Sequence, residues 1–332
     1  MTETPSREHR LSVVIPVYGG EKTLRGVVES LAPYVEGATS PGGREFRVTE
    51  VILVWDRGRD RSDRVIRELR DQLPWVRAVW LSQNFGQHAA TLAGMASSGE
   101  EWVVTMDEDG QHDPVYLGNL LDAAMDQRAS LVYARPTNEP SHGFVRNLAS
   151  RGSKAVIKVV LAGTDSRLFQ SYRLMLGSVA RSAAAYAGSG VYLDVVLSWI
   201  AGHPATADIE LRDEGDRVSG YNYRRLLGHF WRMVLTSGTR GLRLVSVLGG
   251  VFAVSGVILA LFVLAQRIFG ANIQAGWAST MIVMLLGFGG IMIALGIIAE
   301  YLGVTLNTSL GKPLYVLSED PERGPLGRDE RK

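Results

Sequence analysis

Residues Met106 to Pro114 read MDEDGQHDP: three consecutive carboxylates, Asp107, Glu108 and Asp109, then Gln111, His112 and Asp113. The five residues before the acids, Trp102 to Met106, have the composition of a buried strand. Ligands of open α/β sheets collect at the carboxyl ends of strands, so these acids stand where a substrate would arrive. Carboxylate and diphosphate oxygens are the ligands that Mg²⁺ and Mn²⁺ prefer. The segment reads as a site for a metal-bound, phosphate-bearing substrate. A lone Asp-x-Asp occurs by chance about once in a chain of this length and is then a solvated loop. The apolar strand before this one, Gln111 and His112 after it, and Pro114 opening the next helix set it apart.

The elements that must position those acids alternate. Strand-like runs at Ser12–Val17, Val48–Val54, Val76–Leu81, Trp102–Met106 and Leu131–Ala134 are separated by helical spacing at Lys22–Leu31, Asp63–Leu73, Gln87–Ala96 and Pro114–Arg128. Such alternation predicts an α/β fold with a largely parallel sheet covered by helices on both faces. Gly86 and Gly94 suit turn geometry and close packing. Trp75, Trp80 and Trp199 read as core, and His88 as structural; His112 stays open between structure and substrate contact.

Two long charge-free runs follow, about 244–265 and 277–299. Each is long enough to cross a bilayer as a helix, so a two-helix transmembrane hairpin is expected, with a pair of buried core helices as the competing reading. Arg224, Arg225, Arg232, Arg240 and Arg243 lie before the first run and Lys312 after the second, while the link Gln266–Gly276 holds only Arg267. The positive-inside bias then puts the catalytic domain and both termini in the cytoplasm of a multi-pass cell-membrane protein. Phe144–Leu161 and Tyr221–Leu235 mix Arg and Lys with apolar residues, which suits amphipathic helices lying on the membrane surface. The expected division is a core at 1–139, an acceptor-side region at 140–241, the spans within 242–303, and a tail at 304–332 whose end, from Ser318, is charged and disordered. The polar N-terminus does not read as a signal peptide.

Net charge is +1 over 332 residues, which gives no sign of a nucleic-acid partner, and there is no cysteine to form a disulfide, a thiolate metal site or a thiol nucleophile. Small-residue pairs at Gly249/Ala253 and Gly290/Ala294 suggest helix–helix contacts and a homo-oligomer.

The motifs LSQNFGQHAATLAGM (81–95), MDEDGQHDP (106–114), SYRLM (171–175) and AEYLG (299–303), in that order, resemble the polyprenyl-phosphate branch of the family-2 glycosyltransferases. That group contains dolichol-phosphate mannose synthase and bacterial undecaprenyl-phosphate sugar transferases, and the likeness runs from Leu11 to Glu319. It implies a GT-A (Rossmann-like) domain that takes a sugar from a nucleotide-sugar donor to a polyprenyl phosphate at the cytoplasmic leaflet, with inversion. By position it places Pro16, Tyr18 and Glu21, with Asp56 in the second loop, on the base and ribose. Asp107 and Asp109 become the metal and diphosphate acids, Gln111 completes their motif, and Arg135 is a basic donor-side residue. Arg173, Arg212, Arg217, Ser219 and Tyr221 fall where the acceptor phosphate binds.

Two departures stand out. The family's Asn-Glu-Glu after the first Tyr is Gly19-Gly20-Glu21, and its Asp-Asp-Gly-Ser is Trp55-Asp56-Arg57-Gly58. Indole only donates hydrogen bonds, so Trp55 is expected to stack on the base or ribose, or else to pack in the core. The chemistry needs Mg²⁺ or Mn²⁺, held by Asp109 with Asp107 on the ribose or through water, to neutralise the departing nucleoside diphosphate. The nucleophile is a phosphate oxygen, already ionised at neutral pH because its second pKa is about 6. No dedicated base is required. The rival readings are a catalytically silent nucleotide-sugar-binding scaffold and a processive polysaccharide synthase, whose Gln-x-x-Arg-Trp signature the chain lacks.

Overall fold

The computed structural model describes residues 8–138, 169–188, 192–212, 276–311 and 313–323, with isolated helical positions between 249 and 265. The first half alternates as its apolar pattern predicts. It runs β1 (His9–Val17), α1 (Leu24–Val35), β2 (Ala38–Thr39), β3 (Glu45–Trp55), α2 (Ser62–Gln72), β4 (Val76–Leu81), α3 (Gln87–Ser97) and β5 (Trp102–Thr105). A 3₁₀ turn at Pro114–Tyr116 leads into α4 (Leu117–Asp126) and β6 (Leu131–Pro136). Then come β7 (Arg173–Leu176), α5 (Gly177–Tyr186), α6 (Leu193–Ile200), β8 (Ala205–Ile209), α7 (Trp277–Ser309) and β9 (Leu317–Ser318).

One nine-stranded sheet carries the order β8-β6-β7-β5-β1-β3-β4-β9, with β2 paired to β3. Period-two alternation divides its faces. Leu11, Val13, Ile15 and Val17 of β1 join Val51, Leu53 and Trp55 of β3 in the core under α1, α2 and α4. Val14, Ile52 and Val54 point the other way, to α3, α5 and α6. Strands buried on both faces must be apolar at nearly every position, which is why β1 and β3 read as unbroken hydrophobic runs. α3 lies close because Gly94 has no side chain: a Cβ there would stand 2.3 Å from Val14 Cγ1 and 2.9 Å from Val54 Cγ2.

Three expectations need correction. The sheet is mixed: the parallel set β5-β1-β3-β4 continues into β7, which runs antiparallel to both β5 and β6. A boundary at 139 therefore does not close the core, since β7 and β8 complete the same sheet. The stretch from Ser318 is also ordered at its start. β9 pairs antiparallel with β4, Trp80 opposite Ser318, and the 8 %-exposed side chain of Asp320 accepts from Arg67 Nε at 2.8 Å. Thirdly, Trp80 is core but Trp199 is 61 % exposed.

α7 is a 33-residue helix, about 50 Å long at 1.5 Å per residue. Its only charge is Glu300, and Phe288, Ile293 and Leu302 are all exposed. Among the described residues no helix is long and apolar enough to cross a membrane; the longest run of α7 with every side chain described is 287–303. The expected first span and both expected interfacial helices lie outside the described residues or are described only at scattered positions.

Candidate functional site

The parallel strands β1, β3, β4 and β5 end on one edge of the sheet, and four loops meet there. The loop after β5 carries the acids. Asp107 accepts from Gln87 Nε2 at 2.7 Å through Oδ1 and from Ser171 Oγ at 2.5 Å through Oδ2. Its own N–H donates to His112 Nδ1 at 3.0 Å. That bond fixes the ring's proton on Nε2, which lies 4.0 Å from Asp107 Oδ2. His112 is buried and stacked on Tyr172, with ring centroids 4.9 Å apart. Burial pushes its pKa down, so the imidazole is neutral and orients Asp107. Asp109 Oδ1 accepts from the Gln111 N–H at 3.1 Å, an Asx turn around Gly110 at φ 86°.

These acids suit a divalent cation of the Mg²⁺ type. Among the described residues no three acids or histidines converge into a closed cage. Sites for such cations commonly use one or two carboxylates, completed by substrate phosphates and water. Asp107 is held by two side chains, one on each oxygen, and Asp109 Oδ1 takes the backbone N–H of its own turn. Both carboxylates stand at the end of β5, where a cation carried by a substrate diphosphate would meet them.

The loop after β1 faces the acids. Pro16 is buried within the strand opposite Val54, whereas Tyr18, just after it, is 42 % exposed. The N–H groups of Tyr18 and Gly19 donate to Glu108 Oε2 and Oε1 at 2.9 and 2.8 Å. Burial pushes the Glu108 carboxyl up to about 7, opposed by those two N–H bonds and helped by Asp60 and Asp107. Glu21 accepts from the Arg61 N–H at 3.2 Å and donates its own to Asp60 at 2.9 Å, joining the first loop to the second.

Asp56 differs from its expected role, and of the two readings kept for Trp55 the structure shows packing in the core. Asp56 is 2 % exposed and accepts from the N–H groups of Phe85 and Gly86 at 2.7 and 2.8 Å. It holds the turn that opens α3 and presents Gln87 to Asp107. Trp55 packs edge-on against Trp80 at 5.5 Å and is 8 % exposed, so its ring has no open face on which a base could stack. Its indole N–H is buried without a partner among the described residues.

The basic residues separate into two groups. Arg212 comes to the acidic motif: its N–H donates to the Gln111 carbonyl at 3.0 Å and its Nε to Asp113 at 2.7 Å, while the side chain stays half exposed. Arg135 is held across β6 and β8 by both oxygens of Asp208, at 2.5 and 2.9 Å. Arg173 does not face the cleft. It is 3 % exposed, ion-paired with Asp194, and its Nε donates to Thr105 Oγ1 at 3.0 Å. Burial alone would lower its pKa, but Asp194 outweighs that and keeps it charged. Its charge stabilises the β5–β7 pairing, so the acceptor-side role expected for it finds no support here. Arg217, Ser219 and Tyr221 lie outside the described residues. Gln87, Ser171 and Glu108 are site residues whose roles the motifs did not reveal, because their partners are 20, 64 and about 90 positions away in sequence.

Residues 12–181 match glycosyl transferase family 2. The chain is 29 % identical over 323 residues to the undecaprenyl-phosphate 4-deoxy-4-formamido-L-arabinose transferase of Pseudomonas paraeruginosa, covering 95 % of this chain and 91 % of that protein. The Proteus mirabilis protein of the same name is 29 % identical over 322 residues, with 94 % of each chain covered. Among solved structures, glucosyl-3-phosphoglycerate synthase from Mycobacterium tuberculosis, crystallised with Mn²⁺, UDP and phosphoglyceric acid, is similar at 16 % identity and a TM-score of 0.49, over 70 % of this chain and 78 % of that one.

Proposed function

The chain belongs to glycosyl transferase family 2, and from that premise we propose that it moves a sugar from a nucleoside-diphosphate sugar to the phosphate of undecaprenyl phosphate. The observation that carries the reading is the Asp107-x-Asp109 pair at the end of β5, with the exposed Tyr18 on the loop bonded to Glu108 and Arg212 bonded to the same motif. Relatives named as undecaprenyl-phosphate sugar transferases align over nearly the whole chain, the apolar C-terminal part included. A divalent cation on Asp109 would neutralise the departing diphosphate, which is the chemistry such a metal supplies in glycosyl transfer.

The chain's own residues do the rest. Gln87, Ser171 and the neutral His112 hold Asp107 in one orientation, so no reorganisation is needed as the donor binds. Tyr18 supplies a surface for the base, and Glu21 lies in the same loop. Arg212 brings a guanidinium, suited to bidentate contact with a phosphate, to the side of the acids away from that loop's start. The acceptor phosphate attacks as an anion, which agrees with a buried, neutral His112 beside the acids. The departure at Trp55 gives no reason to read the protein as silent: the indole fills the core against Trp80, and Asp56 beside it keeps its hydrogen bonds.

Membrane attachment belongs to the same proposal. α7 exposes apolar side chains all along its described length, which water would oppose and lipid would favour. The protein is then a multi-pass cell-membrane enzyme working at the cytoplasmic leaflet, and its small-residue pairs are where copies would pack into a homo-oligomer.

A panel of nucleotide-sugars, with undecaprenyl phosphate as acceptor and Mg²⁺ or Mn²⁺ present, tests the function. One donor is expected to yield a lipid-linked sugar, and Asp109→Asn to abolish that product while leaving the detergent-extracted protein folded. Transfer that persists in Asp109→Asn, or no transfer from any donor, overturns the assignment.

A further inference from the structure

The loop Tyr18–Glu21 is suspended between two acids from other parts of the chain. Asp60 Oδ2 takes the N–H of Glu21 at 2.9 Å. At the other end, Glu108 lays one carboxylate oxygen on each of two consecutive N–H groups, those of Tyr18 and Gly19. The arrangement leaves no spare room. A Cβ on Gly20 would stand 2.7 Å from Glu108 Oε2, with Leu24 Cβ at 3.2 Å and Val17 Cγ1 at 3.3 Å behind it. Gly20 lets the carboxylate enter where a larger residue would close the space, whereas a Cβ on Gly19 would meet Glu108 Oε1 only at 3.9 Å, an ordinary contact. Only a carboxylate satisfies both donors. An amide offers one acceptor oxygen and turns its NH₂ toward the second N–H.

Glu108 is the residue between the two acids that face the metal. We propose that Glu108 is the positioning residue that locks the donor-side loop to the Asp107/Asp109 pair, so that base-binding and diphosphate-binding surfaces meet a nucleoside diphosphate as one unit. This rests on the donor-site reading above. With the loop fixed before the donor arrives, the entropy of ordering it is not lost on binding. Without the brace, two N–H groups lose their acceptors and Tyr18 is no longer held at a fixed distance from Asp107 and Asp109. Glu108 touches neither donor nor acceptor in this scheme.

The experiment has two readouts on the detergent-purified full chain. The first is amide hydrogen exchange in peptides covering residues 15–25, which needs no substrate. Glu108→Ala is expected to speed exchange at Tyr18 and Gly19, and Glu108→Gln to do so less. The second is steady-state kinetics with the donor found in the panel. Glu108→Ala is expected to raise the donor KM roughly tenfold, about 1.4 kcal/mol, with the acceptor KM and kcat within about twofold. Glu108→Gln recovers part of the donor KM. Gly20→Ala, which drives a methyl group into the carboxylate, raises the donor KM as well, and less so when Glu108 is already Ala. Unchanged exchange at 18–19, or equal changes in donor and acceptor KM, or independent effects of Gly20→Ala and Glu108→Ala, overturns the brace. If no donor is turned over by the unaltered chain, the function fails, and the exchange result still judges Glu108.

Discussion

Two arginines expected on the acceptor side prove to have opposite fates, and burial decides which is which. Arg173 is enclosed with Asp194, Tyr133 and Thr105, and Tyr133 Oη donates to Asp194 at 2.9 Å. Removing one partner of a buried ion pair leaves the other charge uncompensated, which typically costs about 3–5 kcal/mol. Arg173→Ala is therefore expected to lower the unfolding midpoint by several degrees and to reduce activity only in proportion to unfolding. Arg212 is half exposed, and its pair with Asp113 is of the solvated kind, worth about 1 kcal/mol or less. Arg212→Ala is expected to leave the midpoint within about a degree or two and to raise the acceptor KM more than the donor KM. Thermal unfolding together with the two KM values separates the residues. A selective acceptor effect in Arg173→Ala would restore the role its sequence position suggested, and none in Arg212→Ala would remove that residue from the acceptor side.

At the scale of the element, α3 links packing to chemistry. Its N-terminus presents Gln87 to Asp107, and its middle rests on β1 and β3 through Gly94. Helix propensity alone favours Gly94→Ala by about 0.8–1 kcal/mol. The added methyl would sit 2.3 Å from Val14 Cγ1 and 2.9 Å from Val54 Cγ2, both in the closed core. Overpacking of this kind costs about 1–3 kcal/mol, so packing wins. Gly94→Ala is expected to destabilise the protein and to lower kcat as Gln87 shifts, whereas Ala96→Gly, in the same helix, acts only through propensity. A stabilised Gly94→Ala protein with full kcat would show that α3 can slide on the sheet without cost.

The same scale shows what sequence can and cannot tell. Parallel strands buried on both faces announce themselves, so β1, β3, β4, β5 and β6 were readable to within a few residues. β7 was not, because Arg173 opens an otherwise apolar four-residue run; its charge is paired with Asp194, 21 positions further on. β9 is two residues long, too short for any period to register. At the site, the acids and Arg212 were legible as motif members. The partners of Asp107 and the grip of Glu108 on the first loop depend on contacts that no local spacing encodes.

For the whole molecule, the position of β9 constrains the path of the chain. β8 ends at Ile209 and β9 begins at Leu317, and both belong to one sheet. A chain that leaves that sheet and returns to it must cross any membrane an even number of times in between. If α7 is one crossing, a second is required between 210 and 276, and the charge-free run at about 244–265 is the stretch there able to supply it. The return is held firmly. Arg67 and Arg70 both donate to Asp320, Arg323 pairs with Asp71 at 2.7 Å, and the Ser82 N–H donates to Val316 O at 2.9 Å. The segment after α7 is thus fixed to β4 and to the loop that opens α3, close to the site. Because the chain contains no cysteine, a single introduced thiol reports its side of the membrane without background. Leu317→Cys, at a position 55 % exposed, is expected to react with a membrane-impermeant maleimide only after the cells are opened. Ala271→Cys, between the two apolar runs, is expected to react in intact cells. Labelling of position 317 from outside would put the sheet on the far side of the membrane from cytoplasmic nucleotide-sugars and would remove the proposed donor. Labelling of neither position in intact cells would mean that α7 does not cross and that its apolar surface is covered by protein.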